Sequence, residues 1–343
     1  RIAGKAEKSL LEESRRRVGD KQPESETCVE WLKNPSAGVT IMLALTVGAF
    51  TLIEPTFISP VNLATMARSM SYTGIIAVGM AFCLISGVID LSVGSTAALS
   101  CVMFGRAMYF WNFSIGSAAL LALGISLLVG LVNSFVILRL KVTPFIATIS
   151  MMFIARGLAN YASNGYSIYP LPEPVSTIGY MRPLGVSVAF VVFLIVLAIG
   201  HIVLTYTLFG LKTRATGSDR EIAICTEVEV DKINTANLLM SSLLAGVAGI
   251  LIAFLMNAGS PTVGSGWEFA AITACAIGGV SLFGYYGNMF GLFCGLALVQ
   301  VINNGIVLVG VNPYMQNVVV GLLLLLAMYL DVKRRSYLNI DKF

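Results

Sequence analysis

Long apolar runs broken by brief polar punctuation set the pattern of this chain. A bilayer span needs roughly 20 mostly apolar residues. Ten runs fit, near 37–55, 62–86, 91–110, 116–138, 144–162, 187–208, 235–256, 268–283, 289–309 and 314–331. They lack the period-two alternation of barrel strands, so the elements are predicted as helices. The division of 62–110 into two spans rests on ISGVIDLSVGS (85–95), because glycines and a carboxylate in mid-helix are unfavourable in lipid.

Composition agrees with that pattern. With 57% hydrophobic and 12% charged residues, 343 residues cannot hide their apolar surface in one water-soluble core. The expected fold class is an all-α integral membrane protein of about ten transmembrane helices. A tail at 1–36, a membrane domain at 37–331 and a second tail at 332–343 divide it.

Charge orients the spans. An N-terminus in the cytoplasm places eight Lys or Arg of residues 1–33 inside, with Arg139, Lys141, Lys212, Arg214, Arg220, Lys232, Lys333, Arg334, Arg335 and Lys342. Arg182 alone falls outside, and Arg68, Arg106 and Arg156 fall within spans. The positive-inside rule then expects both termini in the cytoplasm and an even number of crossings. The net charge of +4 therefore needs no nucleic acid to explain it. Ala6–Arg17 is expected as a short polar helix, either solvated or docking a partner. The first apolar run lacks a small-residue cleavage site, so no signal peptide is expected, and the missing initiator Met points to a trimmed start.

Catalytic equipment is sparse. The single histidine, His201, lies in the sixth span, where a packing role is the simplest reading, and no His/Cys/carboxylate cluster has metal spacing. The phosphate loop G-x-x-x-x-G-K-[ST] is missing too, so uphill transport driven by ATP requires hydrolysis elsewhere. The six cysteines form no disulfide framework; Cys83, Cys101, Cys275 and Cys294 lie in spans, Cys28 and Cys225 face the reducing cytoplasm, and packing is expected for all six. Gly287, Gly291 and Gly295 recur every four residues, a close-packing face. Pro144, Pro261 and Pro313 stand at span ends.

Two segments rise above packing. The loop 211–233, LKTRATGSDREIAICTEVEVDKI, is the longest polar insertion on the inner side. Asp219–Ala223 can start a short helix with Ser218 as its cap. A plain solvated hairpin does not need the apolar strip Ile222, Ala223, Ile224 and Cys225, which points to docking of a protein partner; the solvated hairpin is the other reading. The segment 261–279 puts Glu268 beside Trp267 at the outer edge of the eighth span. Trp267 has the look of an interface anchor, and Glu268 is either a gate residue or a headgroup-zone carboxylate.

GMAFCLISGVIDLSVGS (79–95), VTPFIATISMMFIARGL (142–158), ATGSDREIAICTEVEVDKI (215–233), PTVGSGWEFAAITACAIGGVSLFG (261–284) and NNGIVLVGVNPYMQNVVVGLLLLLAMYLD (303–331) resemble the permease subunit of ribose-type, binding-protein-dependent sugar ABC importers. The resemblance covers most of residues 60–331. It implies a type II importer-like bundle with inverted half-repeats centred on the second to fifth and seventh to tenth spans. It also implies a bacterial inner membrane location, a second permease copy or paralogue, an extracytoplasmic sugar-binding protein, and cytosolic ATPase subunits that hold ATP and Mg. By the same resemblance the 211–233 loop carries the coupling helix, with Gly217, Ser218, Asp219, Arg220, Glu221, Ile222, Ala223 and Thr226 against the ATPase. Departures stand at Glu221, at Glu227 in place of a glycine, at Ala270 in place of an aspartate, and at Tyr285 and Tyr286 in a turn that is commonly glycine-rich. A specialised partner surface, or membership of a pair of unlike permeases, accounts for these changes. Cys83, Ile85, Gly87 and Val88 recur 192 residues later as Cys275, Ile277, Gly279 and Val280, in spans running the same way.

Asp90 is expected at a helix junction, its carboxylate accepting N–H bonds from the next helix with Ser92 and Ser95 supplementing the cap; Gly94 belongs to the same break. The competing role is direct sugar contact. Sugar hydroxyls need hydrogen-bonding groups, so Asn133, Asn303 and Asn304 are the pathway candidates and Arg156 a supporting or interhelical partner; interhelical amide bonds are the other reading for each. The expected mechanism is alternating access driven by a partner ATPase. A secondary transporter needs membrane carboxylates, for which Asp90 and Glu268 are the candidates, and an integral-membrane enzyme needs a constellation that one histidine does not supply.

Overall fold

The computed structural model describes residues 35–337; Ala6–Arg17, Cys28 and the rest of 1–34 and 338–343 lie outside them. Each of the ten apolar runs carries a helix: α1 (Pro35–Ile53), α2 (Pro60–Ile85), α3 (Val93–Phe110), α4 (Ile115–Ser134), α5 (Pro144–Ser163), α7 (Val188–Tyr206), α10 (Val230–Met256), α11 (Trp267–Ile277), α12 (Met289–Leu308) and α13 (Met315–Tyr337). The three short helices are α6 (Glu173–Tyr180), α8 (Leu208–Ser218) and α9 (Arg220–Cys225). A π turn at Phe135–Arg139 extends α4. Six helices, α2, α4 with its π turn, α5, α7, α10 and α12, are long and apolar enough to cross a membrane, and α1, α11 and α13 hold shorter apolar stretches.

Local chemistry explains most starts. Ser59 accepts the Asn62 N–H at 3.3 Å with Pro60 following it, Ser114 accepts the Ser117 N–H at 3.3 Å, and Asn288 accepts the Gly291 N–H at 2.5 Å. Each satisfies an N–H that a helix start leaves unpaired. Gly287 therefore precedes α12, while Gly291 and Gly295 lie on the face that meets α11: a Cβ there would strike the carbonyls of Gly278 and Ala274.

Two helix ends repeat one device. At the end of α2 the Val88 N–H bonds the Cys83 carbonyl at 2.9 Å and the Gly87 N–H bonds Leu84 at 2.9 Å; at the end of α11 Val280 bonds Cys275 at 2.8 Å and Gly279 bonds Ala276 at 3.1 Å. Gly87 and Gly279 both have φ +82°. This is the Schellman end, with a left-handed glycine and an apolar residue folded back over the last turn. It stops α11 at Ile277, short of the expected 283. Residues 278–288 instead form a turn, tied by the Tyr285 N–H to the Ile85 carbonyl at 2.9 Å and by Ser281 Oγ and the Leu282 N–H to Asp331 at 3.2 and 3.1 Å.

At the centre, α10 packs on α2, α3 and α4. Small residues permit this: a Cβ on Gly79 would lie 2.7 Å from the Ser241 Cα, and one on Gly249 would strike the Ala97 carbonyl. The end of α2, the α4–α5 turn with Lys141, and the α8–α9 junction with Arg220 gather around one cleft. We call this the basic end.

Candidate functional site

Asp90 lies in the break between α2 and α3 and is fully buried. Its Oδ1 accepts the Ser92 N–H at 3.0 Å and the Ser92 hydroxyl at 2.6 Å, and its Oδ2 accepts the Ser241 hydroxyl of α10 at 2.9 Å. Asn133 of α4 donates to Ser92 Oγ at 2.9 Å. The carboxylate thus joins three helices instead of capping the first turn of α3, and Ser95 takes no part in it. A buried hydrogen-bonded acceptor of this kind is costly to remove, because apolar surroundings offer its donors nothing in exchange.

A second break, residues 257–266, lies between α10 and α11 and faces the first. A Cβ on Gly94 would strike the Gly264 carbonyl and the Glu268 carboxylate, and a Cβ on Gly264 would strike the Gly94 carbonyl. Gly264 also has φ +73°, a backbone that L side chains rarely adopt. Arg156 of α5 donates to the Pro261 and Val263 carbonyls at 2.7 and 2.6 Å and so holds this break in place. Glu268, in the first turn of α11, is 5% exposed with one oxygen unpartnered. Its carboxylate is therefore turned into the bundle beside Gly94. Trp267 stacks on Tyr72 with ring centroids 6.0 Å apart.

The other amides divide. Asn304 and Asn62 exchange paired bonds of 2.9 and 3.0 Å between α12 and α2. Asn133 is likewise engaged within the bundle. Asn303 keeps a buried Oδ1 without a partner, while its carbonyl accepts from Gln316 at 3.1 Å. The structure therefore does not bring the four pathway candidates, Asn133, Arg156, Asn303 and Asn304, into one cluster of hydrogen bonds. Sequence reasoning missed Asn234, Asn237 and Ser241, whose signal was polar residues at helical spacing in an apolar span. Asn237 has no side-chain partner on either polar atom.

At the basic end the cap of α9 is Asp219, one residue beyond the expected Ser218, which closes α8. Asp219 Oδ1 accepts the Glu221 and Ile222 N–H groups at 2.8 and 3.1 Å. Ala223 is buried, whereas Ile222 and Ile224 are 64% and 57% exposed. Arg220 pairs with Asp231 at 3.0 Å, and the Thr226 hydroxyl bonds the Ala223 carbonyl at 3.0 Å. Glu227 ends α9 in a left-handed conformation, φ +61°, where a glycine would sit without strain. Gly217 touches the backbone of Ile85 and Tyr285, so this segment is seated on the end of α2. Cys225 is exposed, against the packing expected of it, while Cys83, Cys101, Cys275 and Cys294 are buried.

An all-helical bundle with six helices long and apolar enough to cross a membrane, and two facing helix breaks inside it, fits the class of membrane permeases. The chain belongs to the family described as branched-chain amino acid transport system / permease component, matched over residues 62–328. It is 34% identical to the L-arabinose transport system permease protein of Escherichia coli, over 86% of this chain and 89% of that one. Identity is 30% to the ribose import permease protein of Bacillus subtilis, over 88% and 93% of the two chains. The galactose/methyl galactoside import permease protein of Salmonella typhimurium is also 30% identical, over 88% and 94%. Comparison with solved structures finds no match.

Proposed function

We propose that this chain is the transmembrane permease subunit of an ATP-driven importer for a monosaccharide or sugar-like solute, in a bacterial inner membrane. The relatives named above support the sugar class. The observation that carries the coupling role is α9: an Asp219-capped helix with Ile222 and Ile224 exposed, joined through Gly217 to the end of α2. A push on α9 from a cytosolic ATPase passes by backbone contact to α2, whose next residues hold the Asp90 junction and the facing break at Gly264. Alternating access is then a change in how the two breaks meet, biased by ATP bound elsewhere. Ten crossings, termini in the cytoplasm and an inverted relation of α2–α3 to α10–α11 complete the reading. The orientation is supported by Arg139 and Lys232 in one cleft and Lys141 and Arg220 in another, on the loops expected inside.

The test is copurification. The full chain brings down an ABC ATPase encoded beside it, and replacing Ile222 and Ile224 together with Ser abolishes both that recovery and ATP-dependent sugar uptake. Undiminished recovery by the double variant, or uptake that survives an inactive ATPase and collapses with a proton uncoupler, overturns the reading.

A further inference from the structure

A second groove at the basic end, about 460 Å³, lies between the last turns of α4 and the first turns of α10 and has no part in the proposed transport cycle. Both helices grade it from charged to apolar in the same direction. Along α4 and its π turn, counted back from the end, come Arg139, Phe135 and Leu131; along α10, counted from its start, come Lys232, Thr235 and Leu239. Eight residues of helix rise about 12 Å, so the charged rim stands roughly that far from the innermost leucines. Between rim and leucines the Ser134 and Thr235 hydroxyls bond each other at 2.8 Å. Phe135 and Leu131 are 57% and 49% exposed, and both belong to an apolar stretch long enough to cross a membrane, so this wall of the groove opens toward lipid. The charges of the rim nearly cancel: Asp231 pairs with Arg220 at 3.0 Å, and Lys232 pairs with Glu229. Arg139 is the exception. It is exposed, and among the described residues no ion pair or hydrogen bond engages it. One uncompensated guanidinium is thus left at the head of an apolar trough.

We infer that this groove holds an anionic glycerophospholipid, its phosphodiester on Arg139 and its acyl chains along Phe135, Leu131 and Leu239. A phosphodiester carries one negative charge and offers two oxygens side by side, which matches a single free guanidinium in charge and in fork geometry. Phosphatidylglycerol brings no cation of its own, whereas the ammonium of phosphatidylethanolamine or phosphatidylcholine neutralises its own phosphate and gains less from Arg139. Asp231 of the same rim ties α10 to α9 through Arg220, so a lipid held here also steadies the base of that segment. The binding does not rest on the importer reading.

The test uses the full chain in phosphatidylcholine nanodiscs titrated with phosphatidylglycerol, with phosphatidylethanolamine and free glycerol 3-phosphate as separate arms. Phosphatidylglycerol is expected to raise the melting temperature to a plateau, while phosphatidylethanolamine and glycerol 3-phosphate leave it unchanged. Arg139→Gln, at an exposed position, raises the mole fraction needed for half the effect by about fivefold, the loss of one cation contact at the membrane surface. Lys141→Gln, in the neighbouring cleft, removes the same formal charge and leaves the response as it was. A rise without a plateau means bulk lipid only and overturns the site. So does an equal effect of phosphatidylethanolamine, a response to glycerol 3-phosphate, an unchanged response in Arg139→Gln, or equal weakening by Lys141→Gln. No ATPase enters the measurement, so this proposal and the importer reading fall separately.

Discussion

Replacing Asp90 tests whether the carboxylate is a junction piece. Asp90→Asn keeps the shape and one acceptor oxygen for Ser92, and Ser241 can turn its hydroxyl to accept from the new amide, so the cost stays within about 1 kcal/mol. Asp90→Leu strands three donors: the Ser92 N–H, the Ser92 hydroxyl and the Ser241 hydroxyl. A stranded buried donor costs roughly 1–3 kcal/mol, and the two hydroxyls recover part of that by bonding carbonyls of their own helices. The expected loss is therefore about 3–5 kcal/mol. At roughly 2 °C per kcal/mol for a chain of this size, Asn lowers the melting temperature by about 2 °C and Leu by about 6–10 °C. Thermal unfolding of the purified chain in one detergent, followed by size-exclusion fluorescence, reads the difference between variants. Ser241→Ala sharpens the assay, costing about 1 kcal/mol in the parent and close to nothing in the Asp90→Leu background. Equal melting temperatures for Asn and Leu refute the junction, as does a Ser241→Ala cost that survives the loss of Asp90.

Three further perturbations follow from the same geometry. Gly94→Ala drives a methyl into the Gly264 carbonyl and the Glu268 carboxylate, costing about 1–3 kcal/mol and lowering expression-normalised uptake; Gly124→Ala, where a Cβ meets open space, leaves both unchanged within about 1 kcal/mol, and equal behaviour of the two refutes the facing breaks. Glu227→Gly relieves a left-handed residue at the end of α9 and raises stability by about 0.5–1 kcal/mol, seen as a higher melting temperature; a lower one removes the strain argument. In a Cys28→Ser background, maleimide modifies Cys225 in the folded chain and reaches Cys83, Cys101, Cys275 and Cys294 only after denaturation, as peptide mapping reads; modification of Cys83 in the native protein contradicts its burial.

Helix positions were legible because their causes are local. An apolar run of the right length, a Ser or Asn before it and a proline at its first position are all adjacent in sequence, and α2, α4, α5 and α12 begin where those signals stand. The cap of α9 was misplaced by one residue because Ser218 and Asp219 are both good caps; α8, which runs through Ser218, settles the choice. Partners were not legible. Nothing near Asp90 in sequence names Ser241, 151 residues away, and nothing near Asn304 names Asn62, 242 residues away. Glu268 looked peripheral because it starts a span, yet the break that precedes it folds inward against Gly94, and only the tertiary path of residues 257–266 reveals that burial.

The recurrence of Cys83, Ile85, Gly87 and Val88 as Cys275, Ile277, Gly279 and Val280 has a local cause in the structure. The end of α2 lies against the turn that follows α11, where the Tyr285 N–H bonds the Ile85 carbonyl. What the two stretches share is an ending. A left-handed residue must follow the last turn, which selects Gly87 and Gly279, and an apolar residue must then fold back, which selects Val88 and Val280, both buried. The returning N–H meets the carbonyl of Cys83 or Cys275, whose thiols each reach a neighbouring helix, at Asn237 and Ala77, so a small buried side chain suits both places. The shared glycine and valine therefore follow from one capping requirement met twice. They mark where α2 and α11 are held against the segment that carries α9, the contact through which the proposed ATPase stroke enters the bundle.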